Sequence, residues 1–277
     1  MRDLDDAEAI KKDLETSDNI VIIGAGYIGL EAAAIAAKKN KIVTIIEMAD
    51  RVMNRTVDPQ ISEYYLNLHK SYGVKFHFNT SLETINKVSD SLEVVCSDGT
   101  EVKADSVLIG AGVVPNIELA EEAGIYCNNG IVVDEFGKTN FKNVYACGDC
   151  TNHPNKILNK NLRLESVHNA MEQAKTVAYS VMNNPMEYSQ VPWFWSDQYD
   201  HKLQIVGLSG DHDLVTMRGN TNDAKFMLFY TKNEELIAVD AINNPKEFLI
   251  SRKLVANKVK IKPDVISDLN TNLNDLI

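Results

Sequence analysis

The chain has 277 residues, 44% of them hydrophobic and 24% charged, with a formal net charge of −11. This is the make-up of a globular protein too long for one core, so two or more domains are expected. The acidic balance argues against nucleic-acid and anionic-lipid partners, no apolar run reaches a membrane span, and the charged start MRDLDDAEAIKKDLE lacks the apolar stretch of a signal peptide, so the cytoplasm is the expected compartment.

Residues 5–16 predict a helix with aspartates at its start. In the stretch NIVIIGAGYIGLEAAAIAAKKNKIVTIIE, an apolar strand (20–23), a glycine turn, an alanine-rich helix and a second apolar strand (42–46) follow one another. Neither strand alternates, which is the pattern of a parallel pair buried on both faces in a βαβ unit. Asp58 before Pro59 makes a helix start, and Gly73 suits the position just past its end, so 59–72 is a helix. VKFHF is a short strand, and SLEVVCSDGTEVKADSVLIGAG holds two or three more, turned at Asp98–Gly99.

After GAGVVPN, Pro115 breaks the pattern and an acidic helix begins. GIVVDEFGKTNFKNVYACGDC reads as strand, turn, strand, with TNHPN as a loop behind it, and 166–182 as a helix ended by NNP. From Val191 the texture changes to aromatics (PWFWSDQYD) and then to alternating strands, KLQIVGL, KFMLFYT and ELIAVDAI. A helix over 245–256 and a polar tail finish the chain.

The strongest chemical signal is Gly24, Gly26 and Gly29, a G-x-G-x-x-G placed after a strand and opening a helix. The first glycine permits the tight turn, the second lets backbone approach a pyrophosphate, and the third lets helix and strand pack closely. Amide donors and the helix dipole then hold the anion. Glu47, at the end of the second strand, can accept from both ribose hydroxyls of the adenosine half and would repel a 2′-phosphate, which favours NAD. Arg51 and Arg55 nearby keep NADP open, and Arg55 is counted among the cofactor-binding candidates.

YACGDC is less specific. Cys147 and Cys150, with His153 behind them, could be a redox dithiol, part of a zinc site, or buried inert thiols. A dithiol usually sits at a helix N-terminus, whereas this pair is read as ending a strand before a loop. Zinc needs a fourth ligand, and Cys96 and Cys127 lie in unrelated segments. Inert thiols are the default.

Taken in order, GAGYIGLE…IIE, GAGVVPN, GIVVDEFGKTN, VYACGDC, LRLESVHNA and PWFWSDQ resemble the NADH-dependent ferredoxin reductases of oxygenase systems, the putidaredoxin, rubredoxin and dioxygenase-linked reductases. The resemblance covers essentially the whole chain. It implies an α/β fold in three parts: a Rossmann-like NAD-binding domain with a linker helix (1–112), the returning half of an FAD-binding domain (113–188), and a C-terminal α+β domain with an antiparallel sheet (189–277). It implies FAD and NAD as cofactors, and NADH and a ferredoxin-type iron–sulfur protein as partners.

The same resemblance assigns residues. Asp149 would bond the ribityl chain of FAD with Gly148 beside it, and it gives the two cysteines no role. Glu31 would face the nicotinamide, with Gly110 and Gly112 lining its channel, Ile28 at the start of the NAD helix, and Tyr27 beside it either gating the nicotinamide pocket or only packing. Glu165 and Val167 would lie by the flavin pyrimidine at a helix start whose dipole favours negative charge there. Trp195, with Trp193 near it, would sit by the isoalloxazine, although core packing is the plainer reading of both tryptophans. Arg252, Lys253, Lys258, Lys260 and Lys262 are either a docking patch for an acidic ferredoxin or a solvated face. Family members begin with an earlier glycine-rich FAD half. The expectation is therefore that this chain starts at the linker, that such a half lies upstream, that the chain alone retains flavin weakly or not at all, and that apolar surface is exposed around 139–182. Another two-dinucleotide flavoprotein and a flavin-free NAD-binding module without turnover are the alternatives.

Overall fold

The computed structural model describes residues 3–277, which divide into two compact units: 3–113 with 196–201, and 114–195 with 202–277. In the first unit the elements run α1 (Leu4–Thr16), β1 (Asn19–Ile23), α2 (Tyr27–Lys38), β2 (Ile42–Ile46), α3 (Pro59–Ser71), β3 (Lys75–His77), β4 (Leu82–Val88), β5 (Ser91–Cys96), β6 (Glu101–Ala104) and β7 (Ser106–Ile109). Strands β3-β2-β1-β7 form a parallel sheet in that order, and β4-β5-β6 an antiparallel one. Val21, Ile23 and Ile46 share an apolar cluster with Val94, Cys96 and Ala104 of the antiparallel sheet, while Ile22 and Ala33, Ala34, Ala36 and Ala37 of α2 are buried too. Both faces of β1 are therefore covered, which is why its sequence does not alternate. Asp58 caps α3 by accepting from the Gln60 amide, with Pro59 in the first turn. The hairpin turns at Gly99, whose φ is +83°. One strand of this unit was not foreseen: β4 carries TINK, a polar run on a mostly exposed strand with little apolar signal.

The rest of the chain runs α4 (Glu118–Glu122), β8 (Ile131–Val132), β9 (Thr151–Asn155), β10 (Lys160–Leu162), α5 (Val167–Val181), β11 (Trp193–Gln198), β12 (His201–Gly207), β13 (Leu214–Asn220), β14 (Lys225–Lys232), β15 (Glu235–Ile242), α6 (Pro245–Ala256) and α7 (Pro263–Ser267), all in the second unit except 196–201, the end of β11 and the first residue of β12, which belong to the first. Strands β10-β9-β8 make a small sheet, and β11-β12-β15-β14-β13 a five-stranded antiparallel one. The expected loop TNHPN is instead β9, paired in parallel with β8, and the YAC expected as a strand makes only an isolated bridge between Tyr145 and Lys138. The reason is that Thr151, His153 and Asn155 are polar yet buried at alternate positions, so the period of two is there without apolar residues. Strand β14 does not alternate either, since Phe226 to Thr231 are all buried.

The tail is less polar in effect than in composition. Ile261, Ile266 and Leu273 join the core formed by β14, β15 and α6. Arg218 of β13, 3% exposed, ties the tail down by donating to the carbonyls of Ile266, Asp268 and Thr271 while paired with Glu247 at 2.8 Å. Burial raises the Glu247 pKa, but the Arg218 hydrogen bond and charge outweigh it and hold the carboxyl below its usual range. As expected of 139–182, Phe141, Val144, Val167, Met171, Val181 and Met182 are exposed.

Candidate functional site

The glycine turn between β1 and α2 is built by close approach of backbone to backbone. Gly24 has φ +102°, and a Cβ there would lie 2.5 Å from the Gly110 carbonyl oxygen; a Cβ on Gly29 would lie 2.1 Å from that of Gly24. Only glycine fits either position. Gly26 differs: its φ is −77°, and a Cβ would meet nothing within 4 Å. Gly26 is the N-cap of α2 with no side-chain cap bond, so open space lies in front of it at the positive end of a 12-residue helix. That opening fits a pyrophosphate and no side chain of the turn fills it.

Glu47 stands at the mouth of this turn. One carboxylate oxygen accepts from the Ala25 amide at 2.6 Å and the other from the Ala49 amide at 2.8 Å. Each oxygen keeps acceptor capacity for a ribose hydroxyl. Arg51 is committed elsewhere, donating to the carbonyls of Val57 and Asn54 and to the Ser62 hydroxyl, whereas Arg55 is exposed, its guanidinium 3.8 Å from where a Cβ on Gly112 would stand. Gly110 donates to the Ile23 carbonyl and Gly112 has φ +109°, so both continue the backbone wall of the turn. Tyr27 opens α2 half-buried, Ile28 beside it is exposed, and Glu31 lies one turn on, accepting from the Ser196 hydroxyl at 2.6 Å. No local signal in the sequence marks Ser196, 165 positions away.

In the second unit Gly148 is left-handed (φ +88°), and Asp149 after it is exposed. Burial and then the Glu165 charge raise the Asp149 pKa, against the Ser166 amide and Arg163, which lower it. Glu165 pairs with Arg163, and α5 starts behind Ser166, whose hydroxyl accepts from the Asn169 amide; Val167 is exposed on its first turn. An exposed carboxylate acceptor next to a glycine and a helix start fits the hydroxyls of a ribityl chain.

Behind this edge lies a residue the sequence reading did not single out. The Gln173 carbonyl accepts from the Gly148 amide and the Thr151 hydroxyl, both at 2.7 Å, and its amide donates to His153 Nδ1. The available signal was the spacing of Asn169, Gln173, Thr176 and Ser180, a polar stripe on one buried face of α5. His153 is thus turned toward Gln173, and burial holds it neutral by lowering its pKa. Cys150 donates weakly to the Cys147 carbonyl, and burial pushes its thiol pKa up, the opposite of an activated nucleophile.

Trp193 packs against the core of the second unit, ringed by His168, Trp195, Phe248 and the Arg252 guanidinium 4.8 Å from its centroid. Its indole N–H and the Nδ1 of His168 are buried without partners among the described residues. Trp195, half-buried, leans on Trp193 at 5.4 Å. Core packing explains Trp193.

Fold and turn together define a dinucleotide-binding α/β protein carrying a second, antiparallel-sheet unit. Residues 1–174 match the family model described as pyridine nucleotide-disulphide oxidoreductase, and 193–277 the one described as reductase C-terminal. Putidaredoxin reductase of Pseudomonas putida is 37% identical over 280 residues, covering 100% of this chain and 66% of its own length. Rhodocoxin reductase of Rhodococcus erythropolis is 37% identical over 274 residues, with 99% and 64% covered. The crystal structure of a ferredoxin reductase from Rhodopseudomonas palustris superposes with a TM-score of 0.95 at 37% identity, covering 99% of this chain and 68% of that one. The chain belongs to the pyridine nucleotide-disulphide oxidoreductase family, and it spans about two thirds of the length of these curated relatives. Among the described residues no helix is long and apolar enough to cross a membrane.

Proposed function

We propose that the chain works as part of an FAD-dependent reductase that takes electrons from NADH and passes them to a ferredoxin-type iron–sulfur protein. The observation that carries this reading is the whole-chain match to proteins named as such reductases, at 37% identity over 280 residues. When bound, the nicotinamide and flavin supply the redox chemistry, a hydride passing between them and electrons leaving singly.

The chain's own residues bind and orient. The amides after Gly26 take the pyrophosphate, and Glu47 takes the adenosine ribose. Glu31, Gly110 and Gly112 belong to the nicotinamide end, with Arg55 at its rim. Asp149 and Gly148 take the ribityl chain, Glu165 and Val167 stand at the helix start beside it, and Trp195 at the flavin face. Commitment of Arg51 within its own loop supports NAD over NADP. The three-part division at 112 and 188 belongs to the same proposal. So does a cytoplasmic compartment, which four free thiols support.

Turnover of NADH with ferricyanide, after FAD is supplied to the full protein, tests the reading; NADH binding without reduction of dye or flavin overturns it. Reversing the charge of Lys253 and Lys262 is expected to slow ferredoxin reduction severalfold and leave dye reduction unchanged. Equal slowing of both refutes docking there.

A further inference from the structure

A chain of hydrogen bonds in the first unit reaches Glu31 from a direction the glycine turn does not use. The Tyr199 hydroxyl lies 3.1 Å from His69 Nδ1, and His69 Nε2 lies 2.9 Å from the Gln198 side-chain carbonyl. The Gln198 amide lies 3.2 Å from the Ser196 hydroxyl, which donates to Glu31 at 2.6 Å. His69, Ser196 and Gln198 are all 0% exposed. Ser196 and Gln198 stand two apart on β11 and therefore on one face, while His69 comes from the last turn of α3 and Glu31 from α2.

One arrangement of protons satisfies every link. A carboxylate only accepts, so Ser196 gives its proton to Glu31 and its oxygen accepts from the Gln198 amide. The Gln198 carbonyl then takes the proton on His69 Nε2, and Nδ1 accepts from Tyr199. Turning the Gln198 amide over would set its oxygen against the Ser196 oxygen, whose one proton is already given to Glu31, and leave no proton between Gln198 and Ser196. Burial lowers the His69 pKa to about 4, which keeps the ring neutral at physiological pH, as this arrangement needs.

We propose that Ser196 and Gln198 are positioning residues for Glu31, holding its carboxylate in one orientation as an acceptor for the carboxamide of a bound nicotinamide, with His69 fixing the orientation of the Gln198 amide. The inference rests on the NADH reading above. A free glutamate on a helix surface samples several rotamers and must be ordered when the ligand arrives. Ordering it beforehand, through groups already buried, transfers that loss to folding and leaves affinity for the nicotinamide half higher.

The test is calorimetric titration of the full chain with NADH and with ADP-ribose, which lacks the nicotinamide. Ser196→Ala and Gln198→Leu are each expected to weaken NADH three- to tenfold and leave ADP-ribose unchanged. Ser196→Thr, which keeps the hydroxyl, restores NADH binding, and Ser196→Ala adds nothing in a Glu31→Ala background. Equal weakening of both ligands, no change for NADH, or a loss that persists without Glu31 overturns the inference. A measurement on the unaltered chain needs no variant to fold: nitrogen NMR of His69 at pH 7 is expected to show a neutral ring protonated at Nε2. A proton on Nδ1 overturns the chain of bonds as drawn. If ADP-ribose does not bind the unaltered chain at all, the NADH reading itself fails, a result distinct from intact ADP-ribose binding with indifferent variants.

Discussion

Substituting alanine at Gly26 and at Gly29 separates binding from packing within a single turn. At Gly29 the added Cβ would lie 2.1 Å from the Gly24 carbonyl oxygen, over an ångström short of ordinary contact, and 3.4 Å from Ile22 Cγ2. The obstacle is backbone, so relief requires α2 to lift from β1 and loosen a core in which Leu30, Ala33 and Ala36 are fully buried. Overpacking of this kind costs about 3 kcal/mol, the upper part of its usual range. For a unit of this size that is a fall of about 10 °C in melting temperature. At Gly26 the backbone suits alanine and the methyl meets nothing within 4 Å, so stability is expected to hold within about 1 kcal/mol. The methyl does occupy the space in front of the first-turn amides. Losing one charge-assisted amide bond there removes about 1.5–3 kcal/mol, or about ten- to a hundredfold in affinity. Thermal melts followed by circular dichroism, with calorimetric titration of NAD and ADP-ribose, read the two effects separately. Wild-type affinity in Gly26→Ala would mean that no anion sits at the turn. An unchanged melting temperature in Gly29→Ala would refute the packing argument.

Three further outcomes are expected. His69 is held down to about 4 by burial, below an unfolded value near 6.5, so the unfolded state binds the extra proton between those values and stability falls as pH drops from 6.5 toward 4, by about 3 kcal/mol in all. His69→Gln should flatten that limb of the pH–stability curve, and an identical curve would show that His69 is not the group responsible. Arg218→Leu leaves Glu247 half-buried without its partner and frees three tail carbonyls, a loss of about 3–5 kcal/mol read as a lowered urea midpoint, with 262–277 becoming sensitive to protease; an unchanged midpoint contradicts it. Cys147→Ser with Cys150→Ser is expected to leave NAD affinity unchanged, and Cys150 to react slowly with a thiol reagent at pH 7. Fast labelling would reopen a redox role.

Several elements were legible in their own residues. Strands β1 and β2, the glycine turn, the cap at Asp58 and the helices α2, α3, α5 and α6 each follow from neighbouring residues, because turn geometry, capping and hydrophobic period are short-range properties. The place of Glu47 was legible for the same reason, since a βαβ unit brings the end of β2 beside the turn after β1. The tertiary structure alone decided where polar residues belong. Strand β9 was taken for a loop because Thr151, His153 and Asn155 look like surface until Gln173 supplies their partners, and the tail looked solvated until Arg218 and the core claimed it. The bond from Ser196 to Glu31 joins residues 165 apart. A buried hydrogen bond is specified by geometry between distant segments, and that geometry has no period, composition or spacing from which a linear reading could recover it.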